Sequence, residues 1–374
     1  MRSLRTILVT GGAGFIGSHL VDGLVNRGYR VRVLDNLDPQ IHPTKKLPSY
    51  FNKKAEFMKG DVTRKSDWKK ALFGVDAVYH FAAAVGVGQS MYEVERYVKV
   101  NSFGTALLLD YLANTKHTVK KIIVAASMSS YGEGEYECKK CGRVRPLLRP
   151  ESQLKIRDWE VHCPNCKAYV KAIPTREDAK QHSNSIYAIG KKNQEEMVLN
   201  IGLAYSIPAV ALRYFNVYGQ RQSLSNPYNG VAAIFISRIK NGKKPVINED
   251  GLQTRDFVHV SDVTRANISA LENSRANYKV YNVGTGNPIT ISEVAQTIVQ
   301  LLGSNQPLDI TNKVRKLDVR HCFADISRIS TDIGWNPQIS FREGLRDVID
   351  WGKGEVAVDH MEYALHQLEK RGLR

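Results

Sequence analysis

The chain lacks the segments that would direct it to a membrane or out of the cell. It has no run of about 18 apolar residues, so a transmembrane helix is not predicted. Residues 1–9 lead directly into a strand-like segment and leave no room for the apolar core and cleavage site of a signal peptide. There is also no internal repeat and no low-complexity linker. The cytoplasm is therefore the expected location.

The composition is that of an ordinary globular protein with a strong basic excess. Of its 374 residues, 43% are hydrophobic and 24% are charged, which excludes a disordered or fibrous chain. The formal net charge of +16 could steer an anionic ligand such as a nucleotide, or a nucleic acid. The basic residues are scattered and form no long block, so a solvated basic surface is the favoured interpretation. Nucleic-acid binding is accordingly not the expected function.

Short apolar segments alternate with amphipathic ones through the first half of the chain. We predict strands at residues 7–10, 30–35, 56–58, 76–82, 121–127 and 209–214, and helices at residues 15–27, 66–73, 92–113 and 193–205. Such alternation predicts an α/β fold in which helices cover both faces of a parallel sheet. From about residue 220 the elements become short, which indicates a smaller C-terminal lobe.

A glycine-rich turn follows the first predicted strand and opens the first predicted helix. It reads T-G-G-A-G-F-I-G over residues 10–17. Its glycines permit a tight turn, let a pyrophosphate approach the backbone, and let the helix pack closely on the strand. The helix N-terminus offers unpaired N–H groups to the phosphates. A dinucleotide is therefore predicted to bind Gly11, Gly14, Phe15, Ile16 and Gly17.

An acidic residue, Asp35, ends the second predicted strand 18 residues after Gly17. A carboxylate at this position accepts hydrogen bonds from both hydroxyls of an adenosine ribose and repels the extra phosphate of NADP, so NAD is the predicted cofactor. Asn36 adjoins it, and Asp61 and Val62, after the third strand, are expected to meet the adenine. The alternative is a structural turn with an unrelated surface aspartate.

Tyr187 and Lys191 stand four residues apart at the start of a predicted helix, which places them on one face. A nearby ammonium would favour the tyrosinate and lower the phenol pKa from its reference value of about 10. The tyrosinate could then take a proton from a substrate hydroxyl while hydride leaves the same carbon. Ser127, at the end of the fifth predicted strand, can donate to the reacting oxygen. An exposed Tyr–Lys pair is the alternative, but the dinucleotide loop favours catalysis.

These motifs, with others along nearly the whole chain, resemble those of extended short-chain dehydrogenases/reductases of the nucleotide-sugar epimerase type. The further matching segments are L-D-N-L, G-D-V, H-F-A-A, V-N-S-F-G-T, S-M-S-S-Y-G, Y-A-I-G-K, L-R-Y-F-N-V-Y-G, T-R-D-F-V-H-V-S-D and Y-N-V-G-T-G. The resemblance implies a Rossmann-type doubly wound sheet over residues 1–212, tightly bound NAD, and a homodimer. Residues 213–374 would form mainly a smaller substrate-binding lobe for a nucleoside-diphosphate sugar, with some segments returning to the first domain.

The resemblance also assigns individual residues. Asn216 and Arg255 are expected to contact the diphosphate of the substrate. Arg315 stands where the family's R-x-G-D motif supplies another phosphate-binding arginine, although Leu317 replaces the usual glycine. Phe81, Ala82 and Asn101 are expected to line the cofactor site together with the glycine loop.

The two residues after Ser127 narrow the reaction within this family. In its 4,6-dehydratases Asp-Glu follows the catalytic serine or threonine, and in its decarboxylating members a Glu stands two positions after it. Met128 and Ser129 fill these positions here, and neither can act as the general acid or base that those reactions need. Tyr187 is the one base left, which favours epimerisation at C4 through a transient 4-keto sugar.

The segment around Val85 bears on the sugar. UDP-galactose 4-epimerases typically read F-A-G-L-K-A-V-G-E-S where this chain reads F-A-A-A-V-G-V-G-Q-S, so Val85 and Gln89 replace polar or charged residues. Val85, Ser127 and Ser129 are expected to surround the sugar in a less polar pocket that suits a 6-deoxy sugar. The segment S-M-S-S-Y-G-E-G, the cysteine-bearing stretch after it and the later S-L-S-N-P-Y-N-G-V-A-A-I-F most resemble those of dTDP-L-rhamnose 4-epimerases. The resemblance implies conversion of dTDP-L-rhamnose to dTDP-6-deoxy-L-talose.

Four of the five cysteines lie in residues 133–182, a stretch of little periodicity that we interpret as an insertion. They form two C-x-x-C pairs, Cys138 with Cys141 and Cys163 with Cys166, separated by 21 residues. Two such pairs can complete a tetrahedral zinc site, and four thiolates leave no open position for substrate, so the zinc would be structural. Disulfides are the alternative, but cytosolic thiols stay reduced. The insertion is expected to stiffen a flap near the substrate entrance.

Two other kinds of function remain open. One is a reductase of nucleotide sugars, or an epimerase acting on UDP-glucose and UDP-galactose or on another nucleotide sugar. The other is a nucleic-acid-binding protein that has kept a dehydrogenase fold and uses the cysteine insertion and the basic charge. Asp35 argues against a reductase linked to NADP, and the intact set of Ser127, Tyr187 and Lys191 argues against a pure binder.

Overall fold

The computed structural model describes residues 4–374. The expectation about a signal peptide rests partly on residues 1–3, which lie outside the described residues. The strands are β1 (Thr6–Thr10), β2 (Arg30–Asp35), β3 (Glu56–Lys59), β4 (Ala77–His80), β5 (Lys121–Ser127), β6 (Glu135–Cys138), β7 (Gly142–Val144), β8 (Lys171–Ile173), β9 (Ala209–Tyr214), β10 (Asn216–Tyr218), β11 (Val246–Ile247), β12 (Thr254–His259), β13 (Lys279–Val283), β14 (Pro288–Thr290), β15 (Asp309–Ile310) and β16 (His321–Cys322).

The α-helices lie mostly between these strands. They are α1 (Phe15–Asn26), α2 (Lys65–Ala71), α3 (Val87–Ser90), α4 (Val94–Tyr97), α5 (Gly104–Asn114), α6 (Glu151–Lys155), α7 (Ile186–Ala204), α8 (Val231–Lys240), α9 (Val260–Glu272), α10 (Ile291–Leu301), α11 (Ser327–Ile333), α12 (Phe341–Gly352) and α13 (Met361–Glu369). Within residues 4–374, no helix combines the length and the apolar character needed to cross a membrane.

A seven-stranded parallel sheet forms the centre of the molecule, in the order β13-β9-β5-β4-β1-β2-β3. Its strands are buried on both faces: Ile7 and Val9 of β1 pack with Leu20 of α1, whereas Leu8 packs with Leu108 of α5 on the opposite face. The predicted strands and the helices on both faces are confirmed. The strand order reverses at β1, so a ligand crevice is expected outside the carboxyl ends of β1 and β4.

Two predicted helices differ from the observed ones. The single helix expected over residues 92–113 is divided into α4, a π-helical segment (Val98–Phe103) and α5. The helix expected from residue 193 begins at Ile186, because Ser185 caps it by accepting the N–H of Ala188 at 3.1 Å. The earlier start puts Tyr187 and Lys191 in the first two turns of α7.

Shorter elements make a second lobe beside the carboxyl ends of the main sheet. Strands β10, β12, β14 and β16 pair with one another, β11 pairs with β15, and α8, α10 and α12 pack around a separate apolar core. Not all of the C-terminal half lies there: β13 completes the main sheet, and α9 packs with α1 against it. Residues from both halves of the chain therefore surround the space between the sheet and the lobe.

The cysteine-bearing stretch forms a small unit of its own. Strands β7, β6 and β8 make an antiparallel sheet, and α6 follows β7. Its core consists of Tyr136, Val144 and Val161 packed around Cys138 and Cys163. With so few apolar residues, this core is too small to be stable alone, and such units commonly need a metal or disulfides.

Candidate active site

A cavity of about 1120 Å³ opens at the carboxyl ends of β1, β2, β4 and β5 and continues between the main sheet and the second lobe. Ordinary small-molecule pockets measure roughly 300–1,000 Å³, so this one has room for a dinucleotide and a second ligand. Most of the residues predicted from the sequence line it, namely Gly11, Gly14, Phe15, Ile16, Gly17, Asp35, Asn36, Val62, Phe81, Ala82, Val85, Ser127, Ser129, Tyr187, Lys191, Asn216, Arg255 and Arg315.

The glycine loop has the geometry that a dinucleotide requires. Gly11 adopts a φ of 70°, a left-handed conformation that suits a tight turn. A Cβ on Gly17 would lie 2.2 Å from the carbonyl oxygen of Gly11, so only glycine lets α1 pack this closely on the turn. A Cβ on Gly14 would meet nothing closer than 3.4 Å, which leaves that position open for a phosphate to approach the helix N-terminus. The loop therefore fits the pyrophosphate of NAD.

Asp35 ends β2, beside the glycine loop, and two backbone N–H groups hold its carboxylate. The N–H groups of Ala13 and Leu37 donate to its two oxygens at 3.0 and 2.9 Å. Burial raises the pKa of Asp35, although these two N–H groups oppose the shift. Each oxygen retains a second lone pair for a ribose hydroxyl. The position fits the predicted role.

Two predicted cofactor residues act behind the cavity wall instead of forming it. Asp61 faces Thr63, whose N–H and hydroxyl both donate to it at 2.8 Å, and it also receives the Asn36 amide at 3.4 Å. Asn101 is fully buried in the π-helical segment and exchanges two hydrogen bonds with the backbone of Ala84, at 2.8 and 3.1 Å. Their polar groups are bonded to protein and neither residue lines the cavity, so their direct contact with the cofactor stays a prediction.

Ser127, Tyr187 and Lys191 meet at the centre of the cavity. The Ser127 hydroxyl oxygen accepts the N–H and the hydroxyl of Ser129, at 3.2 and 2.9 Å, which leaves the Ser127 hydrogen free to donate. Tyr187 bonds with Ser127, and its ring meets that of Tyr97 edge-on with centroids 6.5 Å apart. Lys191 donates from Nζ to the carbonyl of Ala125 at 2.8 Å. The Ser127 and Tyr187 hydroxyls thus lie together at the cavity wall, with Lys191 on the same wall.

The pKa of Tyr187 runs against the sequence-based expectation. Burial raises it above its usual value, and the bond with Ser127 only partly offsets this. Burial also lowers the pKa of Lys191 to about 7, so the lysine is a weak source of positive charge near neutral pH. The expectation that Lys191 lowers the Tyr187 pKa is therefore not met, because burial sets the direction of the shift and Lys191 is not among its causes.

The substrate side of the cavity presents two arginines and unpaired acceptors. Arg255 and Arg315 both bind the carboxylate of Asp318, at 3.1 and 3.0 Å. Burial alone would raise the pKa of Asp318, but Arg315 and Arg255 outweigh it and hold the pKa below its usual value. The side-chain oxygen of Asn216 is buried and has no hydrogen-bond partner. A ligand with hydrogen-bond donors and an anionic group suits these residues.

Leu317 keeps the turn that glycine usually makes in the R-x-G-D motif. Its φ is 67°, the left-handed conformation that glycine adopts without cost. Its carbonyl accepts the side-chain amide of Asn184 at 2.9 Å, which helps to hold the turn. The substitution therefore does not displace Arg315 from the cavity.

Sequence reasoning missed two amide side chains that also line the cavity. The Asn248 and Gln253 side-chain oxygens are buried without a partner, while the Gln253 amide nitrogen donates to the Asn248 backbone carbonyl at 3.1 Å. No sequence signal marked them, because Asn248 follows β11, Gln253 precedes β12, and lone amides between short strands form no pattern. Only the packing of these segments beside the cavity reveals them.

The four cysteines of the insertion come together as predicted. Their sulfur atoms all lie within 4.8 Å of one another, and those of Cys138 and Cys166 are 3.5 Å apart. Four thiolates at about 2.3 Å from one tetrahedral zinc would be about 3.8 Å apart, so the cluster fits this ion. No disulfide links them: all five cysteines of the chain are free.

The insertion lies outside the cavity wall. None of its residues, 133–182, lines the cavity among the residues that the structure describes. It packs against the second lobe, where Thr175 bridges to Ala324 and the N–H of Gly134 donates to His321. That the insertion stiffens a flap near the substrate entrance stays a prediction.

Comparisons with known proteins agree with this site. The family model described as NAD dependent epimerase/dehydratase family matches residues 7–152, and the one described as GDP-mannose 4,6 dehydratase matches residues 169–348. Residues 153–168, between the two matches, belong to the cysteine insertion. The two matches therefore end within that unit and leave Cys163 and Cys166 outside both.

Individual relatives match nearly the whole chain. A dTDP-L-rhamnose 4-epimerase from Burkholderia thailandensis is 35% identical over 93% of this chain and 94% of its own. The crystal structure of UDP-glucose 4-epimerase from Thermotoga maritima with UDP-glucose superposes with a TM-score of 0.76, at 30% identity, over 93% of this chain and 98% of that one. A UDP-glucose 4-epimerase from Thermus thermophilus in complex with NAD gives 0.74 at 28% identity, over 94% and 100%.

The glycine loop, the Ser–Tyr–Lys site and a relative 35% identical across its length agree on one assignment. The chain belongs to the NAD-dependent epimerase/dehydratase family of extended short-chain dehydrogenases/reductases, among relatives that are nucleotide-sugar 4-epimerases.

Proposed function

We propose that the protein epimerises C4 of a nucleoside-diphosphate sugar and that its substrate pair is dTDP-L-rhamnose and dTDP-6-deoxy-L-talose. The observation that carries the reaction is the pairing of Tyr187 with Ser127 beside a cavity that fits NAD, with Met128 and Ser129 in the next positions. Neither of these two can supply the extra acid and base that a dehydration needs. A single proton-transferring residue suffices for epimerisation, because the second half of the reaction reverses the first.

The residues of the site divide the chemistry among them. NAD, which the glycine loop and Asp35 would hold, would supply the acceptor for the C4 hydride and the donor for its return. Tyr187 takes the proton of the C4 hydroxyl and gives it back, while Ser127, whose oxygen is held by Ser129, donates to the C4 oxygen. Arg255 and Arg315 hold the diphosphate, so the 4-keto sugar can turn about it and present its other face.

The nature of the sugar is supported by the wall near Val85. Val85 lines the cavity with 48% of its surface exposed, an apolar side chain that suits a methyl group at C6. Gln89 does not reach the cavity, because it is buried and accepts the Tyr97 hydroxyl at 2.9 Å. The relative from Burkholderia thailandensis adds support for rhamnose, whereas the likeness to UDP-glucose 4-epimerases makes UDP-glucose the second candidate.

Turnover followed by NMR tests both the reaction and the sugar. Purified protein is incubated with dTDP-L-rhamnose, without added cofactor, and in parallel with UDP-glucose. We expect dTDP-6-deoxy-L-talose to appear, and no product from the Tyr187→Phe variant, which keeps the ring and loses the proton carrier. Faster conversion of UDP-glucose would contradict the proposed sugar and keep the reaction. No epimer of either, even with NAD added, would contradict the reaction itself.

We also propose that the cysteine cluster holds one structural zinc ion. The four converging sulfurs and the small core around Cys138 and Cys163 support this, because four thiolates saturate a tetrahedral ion and hold such a unit together. Metal analysis should find one zinc per chain in the purified protein, and none in the Cys138→Ser/Cys163→Ser variant. Full thermal stability of zinc-free protein would contradict the structural role.

A homodimer through α5 and α7 is the assembly we propose. The two helices lie side by side and form a shallow groove lined in part by Leu109, Met197 and Ile201. Nearby apolar side chains remain exposed, with Phe103 at 49% and Leu203 at 69%. Burying such a surface favours association of two copies. Light scattering after gel filtration should give twice the 42.0 kDa of one chain, and a monomer would refute the assembly.

A further inference from the structure

A short segment, residues 318–320, sets the position of both phosphate-binding arginines. The carboxylate of Asp318 receives Arg255 on one oxygen and Arg315 on the other, at 3.1 and 3.0 Å. The carbonyls of Val319 and Arg320 accept two further N–H groups of Arg255, at 2.7 and 3.1 Å. Three of the five N–H groups of Arg255 bind this segment and a fourth donates to the carbonyl of Thr254 at 2.7 Å, so the segment helps to fix the guanidinium and one N–H is left for a ligand.

The cysteine insertion holds the same segment from the opposite side. Glu133, at its start, accepts the N–H of Arg320 at 2.8 Å. Arg149 donates to the carbonyl of Asp318 at 3.4 Å. Glu160 accepts two N–H groups of the Arg320 guanidinium, at 2.5 and 3.1 Å. Three separate residues of the insertion therefore contact a segment that lies more than 150 positions along the chain.

Charges in this interface are buried and paired, which makes its arrangement hard to change. Arg320 is completely buried and also binds Glu249 and Asp250, at 3.0 and 2.7 Å. Arg149, almost completely buried, forms a bidentate pair with Glu249 at 2.9 Å for both bonds. Removing one partner would leave a buried charge uncompensated. Other arrangements of these charged side chains would therefore be less stable than the observed one.

We propose that the cysteine insertion is a positioning element for the substrate's diphosphate: through Glu133, Arg149 and Glu160 it fixes residues 318–320, and so aims Arg255 and Arg315 into the cavity. In this proposal the zinc ion of the cysteine cluster keeps the insertion folded and lies away from the reacting groups. The proposal rests on the proposed function in one respect, that a nucleoside diphosphate binds in this cavity. It does not depend on which sugar the enzyme prefers.

Glu160 is the residue to change, because its side chain is 45% exposed and its loss leaves the small core of the insertion intact. Dissociation constants of dTDP and UDP are measured by calorimetry on the protein as purified, with its cofactor. We expect Glu160→Ala to weaken the diphosphate that the wild type binds by about three- to thirtyfold, the range of indirect coupling between packed groups. The kcat at saturating substrate should stay within about twofold, because Tyr187 and Ser127 are untouched.

Two further variants separate positioning from general damage. Asp158→Ala makes the same change of charge two residues away, at a carboxylate that pairs with His162 inside the insertion at 2.9 Å; it should bind the diphosphate as the wild type does. Glu160→Gln keeps an oxygen acceptor for Arg320 but loses the charge, so it should recover part of the affinity and remain about two- to fivefold weaker than the wild type. Chelation of the metal from wild-type protein should weaken diphosphate binding in the same direction as Glu160→Ala.

The outcomes distinguish this proposal from the one on which it rests. Unchanged diphosphate affinity in both Glu160 variants would overturn the positioning role, and so would an equal loss in Asp158→Ala. If Glu160→Ala does not fold, Glu160→Gln decides alone: a loss of about two- to fivefold in affinity with unchanged kcat supports the role, and wild-type affinity overturns it. If the wild type binds neither dTDP nor UDP, the proposed function fails and this inference fails with it.

Discussion

Lys191, which we propose to be catalytic, should lower the stability of the protein by an amount that can be measured. Its side chain is buried, with 4% of the residue exposed, and its ammonium donates to the carbonyl of Ala125 at 2.8 Å. Burial lowers the pKa of Lys191 from its usual 10.5 to about 7. Between these values the unfolded chain binds a proton that the folded protein does not bind. The free energy of unfolding should therefore rise with pH from about 7 to 10.5, and the full penalty should be present below pH 7.

The magnitude follows from the shift. At 1.36 kcal/mol per pH unit, charging this lysine costs the folded state about 4 kcal/mol at pH 7 and about 1.5 kcal/mol at pH 9.5. Lys191→Met fills the same space without a charge and loses one hydrogen bond, worth about 1 kcal/mol. We expect the variant to be inactive and more stable than the wild type by about 3 kcal/mol at pH 7, with most of that gain gone by pH 9.5.

Urea unfolding of nucleotide-free protein, at several pH values from 6 to 10, measures this difference. Titrating groups that Lys191 does not perturb cancel between the two proteins; His80, whose pKa is lowered by burial and by Lys191, does not. Lys192→Met is the matched control. Lys192 is the next residue of α7, a third of its side chain is exposed, and it pairs with Glu196 at 3.6 Å. That control should change stability little and without a trend in pH. A stability gain in Lys191→Met that stays constant from pH 7 to 10 would show that burial does not disfavour the ammonium.

Two backbone positions give further predictions. Gly17→Ala places a Cβ 2.2 Å from the carbonyl oxygen of Gly11, a backbone atom that cannot move without opening the turn. We therefore expect thermal or urea unfolding to show a free energy of unfolding lower by about 1–3 kcal/mol, and no NAD to co-purify. Gly14→Ala, whose Cβ would meet only that oxygen at 3.4 Å, should fold normally and bind NAD weakly; equal stability of the two variants would contradict this account. At Leu317, with its φ of 67°, the glycine variant should be more stable than the alanine variant by about 1 kcal/mol, because both lose the side chain but only alanine keeps the Cβ clash. If unfolding shows the alanine variant to be as stable, the left-handed conformation is not strained.

Local signals were enough to predict the cofactor half of the site. The glycines of residues 10–17 and Asp35 lie within one strand–helix–strand unit, so their spacing alone determines where they meet, and the structure brings them to one cavity. Tyr187 and Lys191 lie on one helix, and their four-residue spacing places them together in the same way. The cysteine pairs are a similar case, since each pair forms locally and only the meeting of the two pairs needed the fold.

Other features depended on contacts between distant residues. Asn101 and Asp61 belong to the right motifs but use their polar groups on Ala84 and Thr63, which spacing could not reveal. The direction of the Tyr187 pKa depends on how much water reaches the hydroxyl, and that is a property of the closed site as a whole.

The sequence by itself determined the class of sheet, the dinucleotide loop, the Ser–Tyr–Lys set and the pairing of cysteines, because each is encoded by residue types at short spacing along one or two elements. Only the tertiary structure decided how strongly Lys191 is desolvated and where the insertion lies. Glu160 and Arg320 are 160 residues apart in the chain, yet their contact joins the cysteine insertion to the arginines of the cavity. Burial and long-range pairing of charges arise only when the chain is folded, and they determine the electrostatics of the site.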